Sequence, residues 1–420
     1  MRSLISRGLI GIVGLLALAC WIHPYGSVQQ TGTAKSSSNE SQKDYRFASG
    51  HSSLRIPFEE NDGHIFLQAR INDSGPLWFG LDTGAIRSVI DTNHAQALGL
   101  RFDGTQQVGG AGGYEEASII KGVSIKLPGA ELFNQTAWAL PLNALSEANC
   151  RDMAGIIGYE LFSHFVVEVD YATGFLNLYE PTSYRYRGAG ETIPLGLQDG
   201  EIYIPGKVTV AGLNTFDGQF VVDTGSNNTL LLARDFVEEH KLLDFVGPTL
   251  KARGGGVGGE VQMAIGRVKH LQVGRFVVDN PITAFVKVGE IAEAGKAGNI
   301  GGRFLRRFKV IFDYSRRQMI LEPNSYLKES EELDMSGVAL TSEGPAFTVI
   351  KVAGVRPDSP GALAELRPQD VIMAVDNQNA KTLTVAKLRK MFRVEGREYL
   401  LSIKRGDQLL TKTIKLKRMI

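Results

Sequence analysis

The sequence predicts a mainly β protein in which two similar lobes are followed by a smaller α+β domain. The prediction rests on 48 glycines among 420 residues, on short apolar runs broken by turn residues, and on an internal duplication. Apolar runs punctuated by glycine are typical of strands and hairpins. Helical patterns are sparse, with candidates at residues 94–98 and 233–240. We therefore expect β-rich lobes over residues 54–182 and 183–325, and a further domain over residues 335–420.

The N-terminus has the form of an export signal. Arg2 and Arg7 precede an uncharged apolar run that is shorter than the about 20 residues that a spanning helix needs. Residues 1–24 are therefore predicted to be a signal peptide, or a lipoprotein signal and anchor. Cys20 follows the sequence Ala-Leu-Ala, which resembles a bacterial lipoprotein processing site. Lipidation of Cys20, simple cleavage and an uncleaved anchor all remain open.

A polar segment follows the apolar run. Residues 25–53 are rich in Ser, Gln, Asn and Lys and are predicted to be a flexible linker. The signal and linker together predict a protein exported to the periplasm or cell envelope. Its predicted contact with the membrane is through the N-terminal signal or lipid anchor.

Composition excludes several classes of function. The 46 basic residues nearly balance the 45 acidic residues, so the chain lacks the basic surface that a nucleic-acid binder needs. Cys150 is the only cysteine besides Cys20, so no disulfide is expected within the fold. The histidines are scattered and show no spacing typical of a metal site. No nucleic acid, metal or cofactor is therefore predicted.

The strongest signal is the duplication. Residues 79–91 (FGLDTGAIRSVID) and 220–232 (FVVDTGSNNTLLL) each place Asp-Thr-Gly between two apolar strands. Residues 155–181 match residues 298–323 in nearly the same register, and a glycine cluster lies between the two anchors in both copies. A single Asp-Thr-Gly is often only a turn. The framed pair instead predicts that each lobe supplies one carboxylate to a shared site.

The two predicted catalytic residues are Asp82 and Asp223. Two adjacent carboxylates can share one proton, because the charge of one raises the pKa of the other. The ionised carboxyl can take a proton from water while the protonated carboxyl donates to a carbonyl oxygen. This pair therefore suits hydrolysis of a polypeptide substrate without metal or cofactor.

The residues after each aspartate are predicted to support the catalytic turns. Gly84 and Gly225 allow a tight turn that presents an N–H to the carboxylate, where a Cβ would crowd the partner lobe. Thr83 and Thr224, if they point across the lobe interface, are expected to bond to the backbone of the other lobe. Such bonds would fix the separation of the two acids.

The next position differs between the copies, with Ala85 in lobe 1 and Ser226 in lobe 2. A serine hydroxyl can donate to the outer carboxylate oxygen and favour its charged form, whereas alanine cannot. We therefore hypothesise that Asp223 is the ionised acid and Asp82 the protonated one. On this hypothesis Ala85→Ser shifts activity toward lower pH.

This residue set resembles the aspartic peptidase superfamily over about residues 54–323. In that family a second signature, two apolar residues and a glycine, threads beneath the catalytic turn. Here the corresponding residues are Ile156-Ile157-Gly158 and, less ideally, Asn299-Ile300-Gly301. The resemblance implies a bilobal pair of β-barrels that carries the catalytic aspartates between the lobes.

The glycine clusters resemble the flaps of retroviral-type peptidases. The implied flap and substrate-binding residues are Gly109, Gly110, Gly112, Gly113, Gly254, Gly255, Gly256, Gly258 and Gly259. Pepsin-like enzymes have one flap, and this sequence offers two. The chain therefore looks like a retropepsin-type homodimer fused into one chain, so that no homodimer is required. The alternative, that these glycines are only surface turns, remains open.

The C-terminal region resembles a PDZ domain. Residues 344–416 read strand, helix, strand, helix, strand, strand, with Pro357-Asp358-Ser359-Pro360 before the first helix. The implied peptide-binding loop consists of Gly344, Pro345, Ala346 and Phe347. The resemblance implies a small α+β domain that docks a protein C-terminus by adding it as a strand.

The leading hypothesis is an exported aspartic endopeptidase with a PDZ module that recruits substrates or gates the active site. The alternative is a catalytically silent peptide-binding scaffold of the same fold, whose usual mark, a lost aspartate or a broken glycine, is not seen. A basic run, Arg303, Arg306, Arg307 and Lys309, is predicted to be a solvated face.

Overall fold

The computed structural model describes residues 12–16, 43–289, 295–344 and 347–420. Most of the predicted signal, with Cys20 and the start of the predicted linker, lies outside these residues. The chain folds into two β-rich lobes of similar topology and a C-terminal domain. None of the helices in the described ranges is long and apolar enough to cross a membrane.

Lobe 1 is built from short strands and three short helices. A strand from the N-terminal segment, β1 (Ile12–Leu16), lies parallel to a strand of lobe 2. The elements of lobe 1 are β2 (Tyr45–Phe47), β3 (Ser52–Asn61), β4 (His64–Ile71), β5 (Leu77–Leu81), β6 (Val89–Asp91), α1 (Thr92–Ala97), β7 (Phe102–Gly110), β8 (Gly113–Leu127), β9 (Ala130–Leu140), α2 (Asn143–Asn149), β10 (Gly155–Ile157), α3 (Tyr159–His164), β11 (Val166–Asp170) and β12 (Phe175–Tyr179).

Lobe 2 repeats this order, with short 3₁₀ turns at Ala211–Leu213, Leu242–Asp244 and Tyr314–Arg316. Its elements are β13 (Glu191–Pro194), β14 (Gly196–Gln198), β15 (Glu201–Thr209), β16 (Thr215–Asp223), β17 (Leu230–Leu232), α4 (Arg234–Glu239), β18 (Leu250–Gly256), β19 (Gly259–Arg267), β20 (His270–Val273), β21 (Phe276–Asp279), β22 (Ile282–Val288), β23 (Gly298–Gly301), α5 (Gly302–Leu305), β24 (Phe308–Asp313) and β25 (Gln318–Pro323).

The two lobes share the same strand pairings around their catalytic turns. In lobe 1, β10 lies parallel to β5 and antiparallel to β6. In lobe 2, β23 lies parallel to β16 and antiparallel to β17. The second signature strand therefore passes beside the strand that ends at each catalytic turn, as the resemblance implies.

One sheet joins the lobes. Its strands follow the order β3-β12-β11-β24-β25-β13, and the central pair is antiparallel, with Val167 opposite Phe312. Phe162 packs across this junction, with ring centroids 5.4 Å from Phe312 and 5.6 Å from Tyr314. Each buried Val or Phe side chain contributes about 1.5–3 kcal/mol. The junction therefore holds the lobes at a fixed separation.

The C-terminal domain has its own apolar core, which includes Ile350, Leu388 and Leu401. Ser359 and Thr384 cap its two α-helices by accepting from backbone N–H groups. Its elements are β26 (Val338–Glu343), β27 (Val349–Val355), α6 (Pro360–Leu363), β28 (Val371–Val375), β29 (Gln378–Asn379), a 3₁₀ turn (Ala380–Thr382), α7 (Val385–Met391), β30 (Glu398–Arg405) and β31 (Gln408–Lys415).

The structure contains both helices predicted in the lobes, as α1 and α4, and corrects two other expectations. The predicted linker ends too late, because Tyr45 and Phe47 lie in β2 and pack against Phe165 with ring centroids 5.0 and 5.1 Å away. The predicted solvated basic face is also wrong. The side chain of Arg303 is 12% exposed and Arg307 is 5% exposed, since carboxylates and carbonyl groups surround them.

Candidate active site

The two predicted catalytic aspartates meet at the interface between the lobes. Asp82 follows β5 directly and Asp223 ends β16, so equivalent strands of the duplicated fold deliver them. They are 2% and 1% exposed, and they lie close enough for the charge of Asp223 to raise the pKa of Asp82. Two acids in such contact, shielded from water, can hold one shared proton.

The threonines of the two turns exchange hydrogen bonds across the lobe interface. Thr83 Oγ1 donates to the carbonyl of Val222 at 2.6 Å, and Thr224 Oγ1 donates to the carbonyl of Leu81 at 2.8 Å. Each hydroxyl also accepts from the backbone N–H of the other threonine at 3.0 Å. Both side chains are buried, so these bonds are sheltered from water. They tie the two catalytic turns to each other.

The glycines of the turns leave space for the opposite carboxylate. A Cβ on Gly225 would lie 2.3 Å from Oδ2 of Asp82, and a Cβ on Gly84 would lie 3.1 Å from Oδ1 of Asp223. Gly84 also donates its N–H to Oδ1 of Asp82 at 2.8 Å. A side chain at position 225 would thus separate the two acids.

The backbone beneath the turns is held by the second signature strands. Asp82 N donates to the carbonyl of Ile157 at 2.9 Å, and Gly302 N donates to the carbonyl of Ser226 at 2.7 Å. A Cβ on Gly158 would lie 2.5 Å from the carbonyl oxygen of Ala85. The glycine of that signature is therefore required by close backbone packing.

Asn299 makes the surroundings of Asp82 and Asp223 unequal. Its Nδ2 donates to Oδ2 of Asp223 at 2.7 Å, and both residues are 1% exposed. In lobe 1 the equivalent position is Ile156, which has no donor. In the sequence, Asn299 stands out only as a poorer match to the apolar signature. The polar residue in an apolar position was the signal that could have identified it.

The hypothesis about Ser226 requires a correction. The Ser226 hydroxyl accepts from Nδ2 of Asn228 at 3.0 Å and from the Asn228 backbone N–H at 3.4 Å. The side-chain donor to Asp223 is Asn299. The side-chain asymmetry between the acids thus comes from Asn299 of the second signature strand and not from the hydroxyl of Ser226.

The pKa shifts of Asp82 and Asp223 follow this asymmetry. Burial raises the pKa of Asp82 well above its usual value, and the neighbouring charge of Asp223 raises it further. Burial also raises the pKa of Asp223, but the hydrogen bond from Asn299 works against that rise. A donor to a carboxylate stabilises its charged form. Asp223 is therefore the acid that ionises first, and Asp82 keeps the shared proton.

The two glycine-rich hairpins meet tip to tip. The first flap is β7 and β8, with Gly109 and Gly110 ending β7 and Gly113 beginning β8. The second flap is β18 and β19, in which the remaining predicted glycines are Gly254, Gly255, Gly256, Gly258 and Gly259. Gly112 N donates to the carbonyl of Val257 at 3.0 Å. A Cβ on Gly112 would lie 2.2 Å from the backbone of Gly259, so only glycine allows this approach.

The flap tips also exchange apolar side chains. Ala111 of the first flap lies in an apolar cluster of lobe 2 with Val261 and Met263. Val257 of the second flap lies in an apolar cluster of lobe 1 with Val108 and Trp138. The two flap tips are therefore packed against each other in this conformation.

Comparison with protein families agrees with this geometry. The aspartyl protease family matches residues 67–161 and 206–304, one segment in each lobe, and the PDZ domain family matches residues 351–405. The two lobes belong to the aspartyl protease family, and the C-terminal domain is a PDZ domain. A search of curated proteins finds no match to the chain.

Helix α7 of the PDZ domain lies at the opposite end of β26 from the predicted peptide-binding residues. Helix α7 lies beside β26, where Arg389 donates to the carbonyl of Leu340 at 3.0 Å and Met335 N donates to the carbonyl of Phe392 at 2.9 Å. Gly344 and Phe347 lie in the turn that joins β26 to β27, at the other end of β26.

Pro345 and Ala346 lie outside the described residues. Gly344 and Phe347 thus lie in a hairpin turn, and the segment beside the end of α7 leads into β26. The predicted pattern begins at Gly344 and therefore does not include β26.

The second pair of duplicated aspartates supports turns. Asp170 and Asp313, which recur by duplication, accept from backbone N–H groups of the turns that follow them. Within the described part of the chain, no group of His, Cys, Asp or Glu side chains is arranged to hold a metal ion.

Proposed function

We propose that this chain is an aspartic endopeptidase that hydrolyses peptide bonds with water activated between Asp82 and Asp223. The observation that carries the proposal is the buried pair of adjacent acids, held by the threonine exchange. Buried polar groups are costly unless they are paired or used. Two adjacent acids at a lobe interface destabilise the fold, and catalysis explains why the fold contains them.

The unequal surroundings assign a role to each acid. Asp223, ionised with the help of Asn299, takes a proton from water as the water oxygen attacks the peptide carbonyl carbon. Asp82 gives its proton to the carbonyl oxygen, which leaves a neutral tetrahedral diol. Asp223 then returns its proton to the peptide nitrogen while Asp82 recovers one from the diol, and the C–N bond breaks. One water is consumed, and both acids return to their starting states.

The flaps support action on an extended chain within a longer polypeptide. Each hairpin tip carries one side chain, Ala111 or Val257, between glycines, so the backbone N–H and carbonyl groups of the glycines can bond to a substrate backbone. The tips lie 3.0 Å apart between Gly112 N and the Val257 carbonyl, which closes the site. Substrate entry therefore requires that the flaps separate.

The PDZ domain and the N-terminal signal complete the proposal. We expect the PDZ domain to bind a protein C-terminus along β26, because α7 lies beside this strand. We also expect export to the periplasm or cell envelope, from the N-terminal sequence. Both expectations rest on sequence pattern and family resemblance.

The decisive experiment uses purified protein in three forms, wild type, Asp82→Asn and Asp223→Asn, with a mixed peptide library over a range of pH. The expected result is internal cleavage by wild type and none by either variant. Equal cleavage by all three would rule out the pair of acids as the catalytic centre. An absence of cleavage by wild type at every pH would favour the catalytically silent scaffold.

A further inference from the structure

The start of the PDZ groove opens onto the protease lobes and not onto free solvent. A cavity of about 100 Å³ lies there, and it is bordered by Gly337 and Val338 of the PDZ domain and by Asn227 and Leu250 of lobe 2. The charged residues around it are Asp62, Asp334, Arg303, Arg356, Arg389 and Arg393. The basic side chains outnumber the acidic ones, so the cavity favours an anionic group.

The carboxylate of Asp62 is an anionic group of this kind. It lies in the turn between β3 and β4 of lobe 1, and both of its oxygens accept from Arg303 of lobe 2 at 2.8 Å. Oδ1 also accepts from Arg393 of the PDZ domain at 2.7 Å. Although burial alone would raise the pKa of Asp62, the two guanidinium groups hold it well below its usual range. One charged carboxylate thus joins both lobes and the PDZ domain.

The position of Asp62 coincides with the end of a docked peptide. A strand added antiparallel to β26 would have its C-terminus beside the first residues of β26. The segment that leads into β26 is held at the end of α7 by the bond from Met335 N to the carbonyl of Phe392, next to Arg393. The terminal carboxylate of such a peptide and the carboxylate of Asp62 would therefore compete for the same guanidinium.

The turn that carries Asp62 is packed against the catalytic machinery of lobe 2. A Cβ on Gly302 would lie 1.9 Å from the carbonyl oxygen of Gly63. His64, which is 7% exposed, interacts with the backbone of Gly225 in the second catalytic turn. Movement of the turn that carries Asp62 would therefore shift Gly225, which lies against Asp82.

The PDZ domain also holds the second flap. Arg356 donates to the carbonyl of Lys251 in β18 at 2.9 Å. Leu333 and Ile420 pack on the same apolar cluster that receives Ala111 from the first flap. The docked PDZ domain thus contacts the closed flaps from the side of lobe 2.

We propose that Asp62 is an internal competitor for the C-terminal carboxylate of a PDZ ligand. The carboxylate of the ligand replaces Asp62 as the partner of Arg393. The PDZ domain then separates from the lobes, and the second flap becomes free to open. The cavity of about 100 Å³ is smaller than the about 300–1,000 Å³ of typical ligand pockets, so a peptide can enter only as the domain shifts. The effect on cleavage rests on the proposed function, whereas the competition itself does not.

The binding test uses full-length protein and a pool of fluorescein-labelled hexapeptides with free C-terminal carboxylates. Asp62→Asn should bind this pool at least about fivefold more tightly than wild type, the lower end of typical coupling between sites. Arg393→Gln should bind it more weakly. Asp73→Asn is the matched control, since Asp73 is an exposed aspartate of another lobe 1 turn, with 99% side-chain exposure. It should bind the pool like wild type.

The same peptides with amidated C-termini show whether a carboxylate is recognised. Binding of the amidated pool should be weak and equal in wild type and Asp62→Asn. Equal affinity of wild type and Asp62→Asn for the free-carboxylate pool would overturn the proposal. Equal binding of free and amidated pools would overturn it as well.

Cleavage of a reporter peptide tests the consequence. Asp62→Asn and Arg393→Gln should both cleave faster than wild type without ligand, and the free-carboxylate pool should stimulate wild type but not Arg393→Gln. Slower cleavage by both variants, with an unchanged melting temperature, would show that the contact supports the active form and would overturn the proposal. If wild type cleaves nothing, the proposed function fails, and the binding test still decides the competition.

Discussion

Replacing Asn299 by isoleucine, the residue that lobe 1 has at the equivalent position, should move the acid limb of the pH–activity profile toward neutral pH. The Asn299 amide donates to Oδ2 of Asp223 at 2.7 Å in a site that is closed to water. The hydrogen bond stabilises the charged form of Asp223, so its loss raises the pKa of Asp223. Because activity requires Asp223 to be ionised, the variant needs a higher pH to become active.

The size of the effect follows from the strength of the hydrogen bond. A hydrogen bond to a charged group contributes about 1.5–3 kcal/mol, and one pKa unit corresponds to about 1.4 kcal/mol. The acid limb should therefore move up by about one to two pH units. The alkaline limb reports loss of the proton held by Asp82 and should move less, so the active pH range narrows.

The assay is kcat/KM for a peptide substrate as a function of pH, which reports the ionisation of the free enzyme. Ile156→Asn is the matched variant, because it adds a donor beside Asp82 in the other lobe. It should favour ionisation of Asp82 and lower the alkaline limb. An acid limb that stays in place in Asn299→Ile, or that moves to lower pH, would refute the assignment of Asp223 as the ionised acid.

Three further outcomes are expected. Thr224→Val removes two of the hydrogen bonds that cross between the turns and should lower the free energy of unfolding by about 1–3 kcal/mol in urea titrations. Gly225→Ala places a Cβ 2.3 Å from Oδ2 of Asp82 and should abolish cleavage while circular dichroism shows a retained fold. Gly112→Ala places a Cβ 2.2 Å from the opposite flap and should raise KM, whereas Gly75→Ala, which meets nothing within 4 Å, should not.

The duplication predicted where the two aspartates lie in the fold, because its information is local. Asp82 and Asp223 each follow an apolar strand and precede a glycine, and the repeat places both at equivalent strand ends. Helix α1 was predicted for a similar reason, since Asp91 caps it by accepting from two backbone N–H groups. A pattern that is formed by neighbouring residues can be interpreted without knowledge of the fold.

The contacts that distinguish the two lobes are not local. Asp62 meets Arg303 and Arg393, which lie 241 and 331 positions further along the chain. No periodicity connects residues at such separations, so the basic run around Arg303 was interpreted as a solvated face. Asn299 was overlooked because sequence pattern gives its residue type but not the direction of its amide.

These single-copy residues also explain what a fused chain can do that a pair of identical subunits cannot. The threonine exchange is symmetric, because the spacing of two acids needs the same support from both sides. An unequal distribution of the proton between the two acids needs asymmetric surroundings. An amide that lies beside only one acid requires two lobes of different sequence. The same holds for the contacts with the PDZ domain, since one PDZ domain contacts Asp62 in one lobe and Lys251 in the other. Duplication thus supplied the geometry of the aspartates, and divergence between the copies supplied their unequal ionisation and their connection to the PDZ domain.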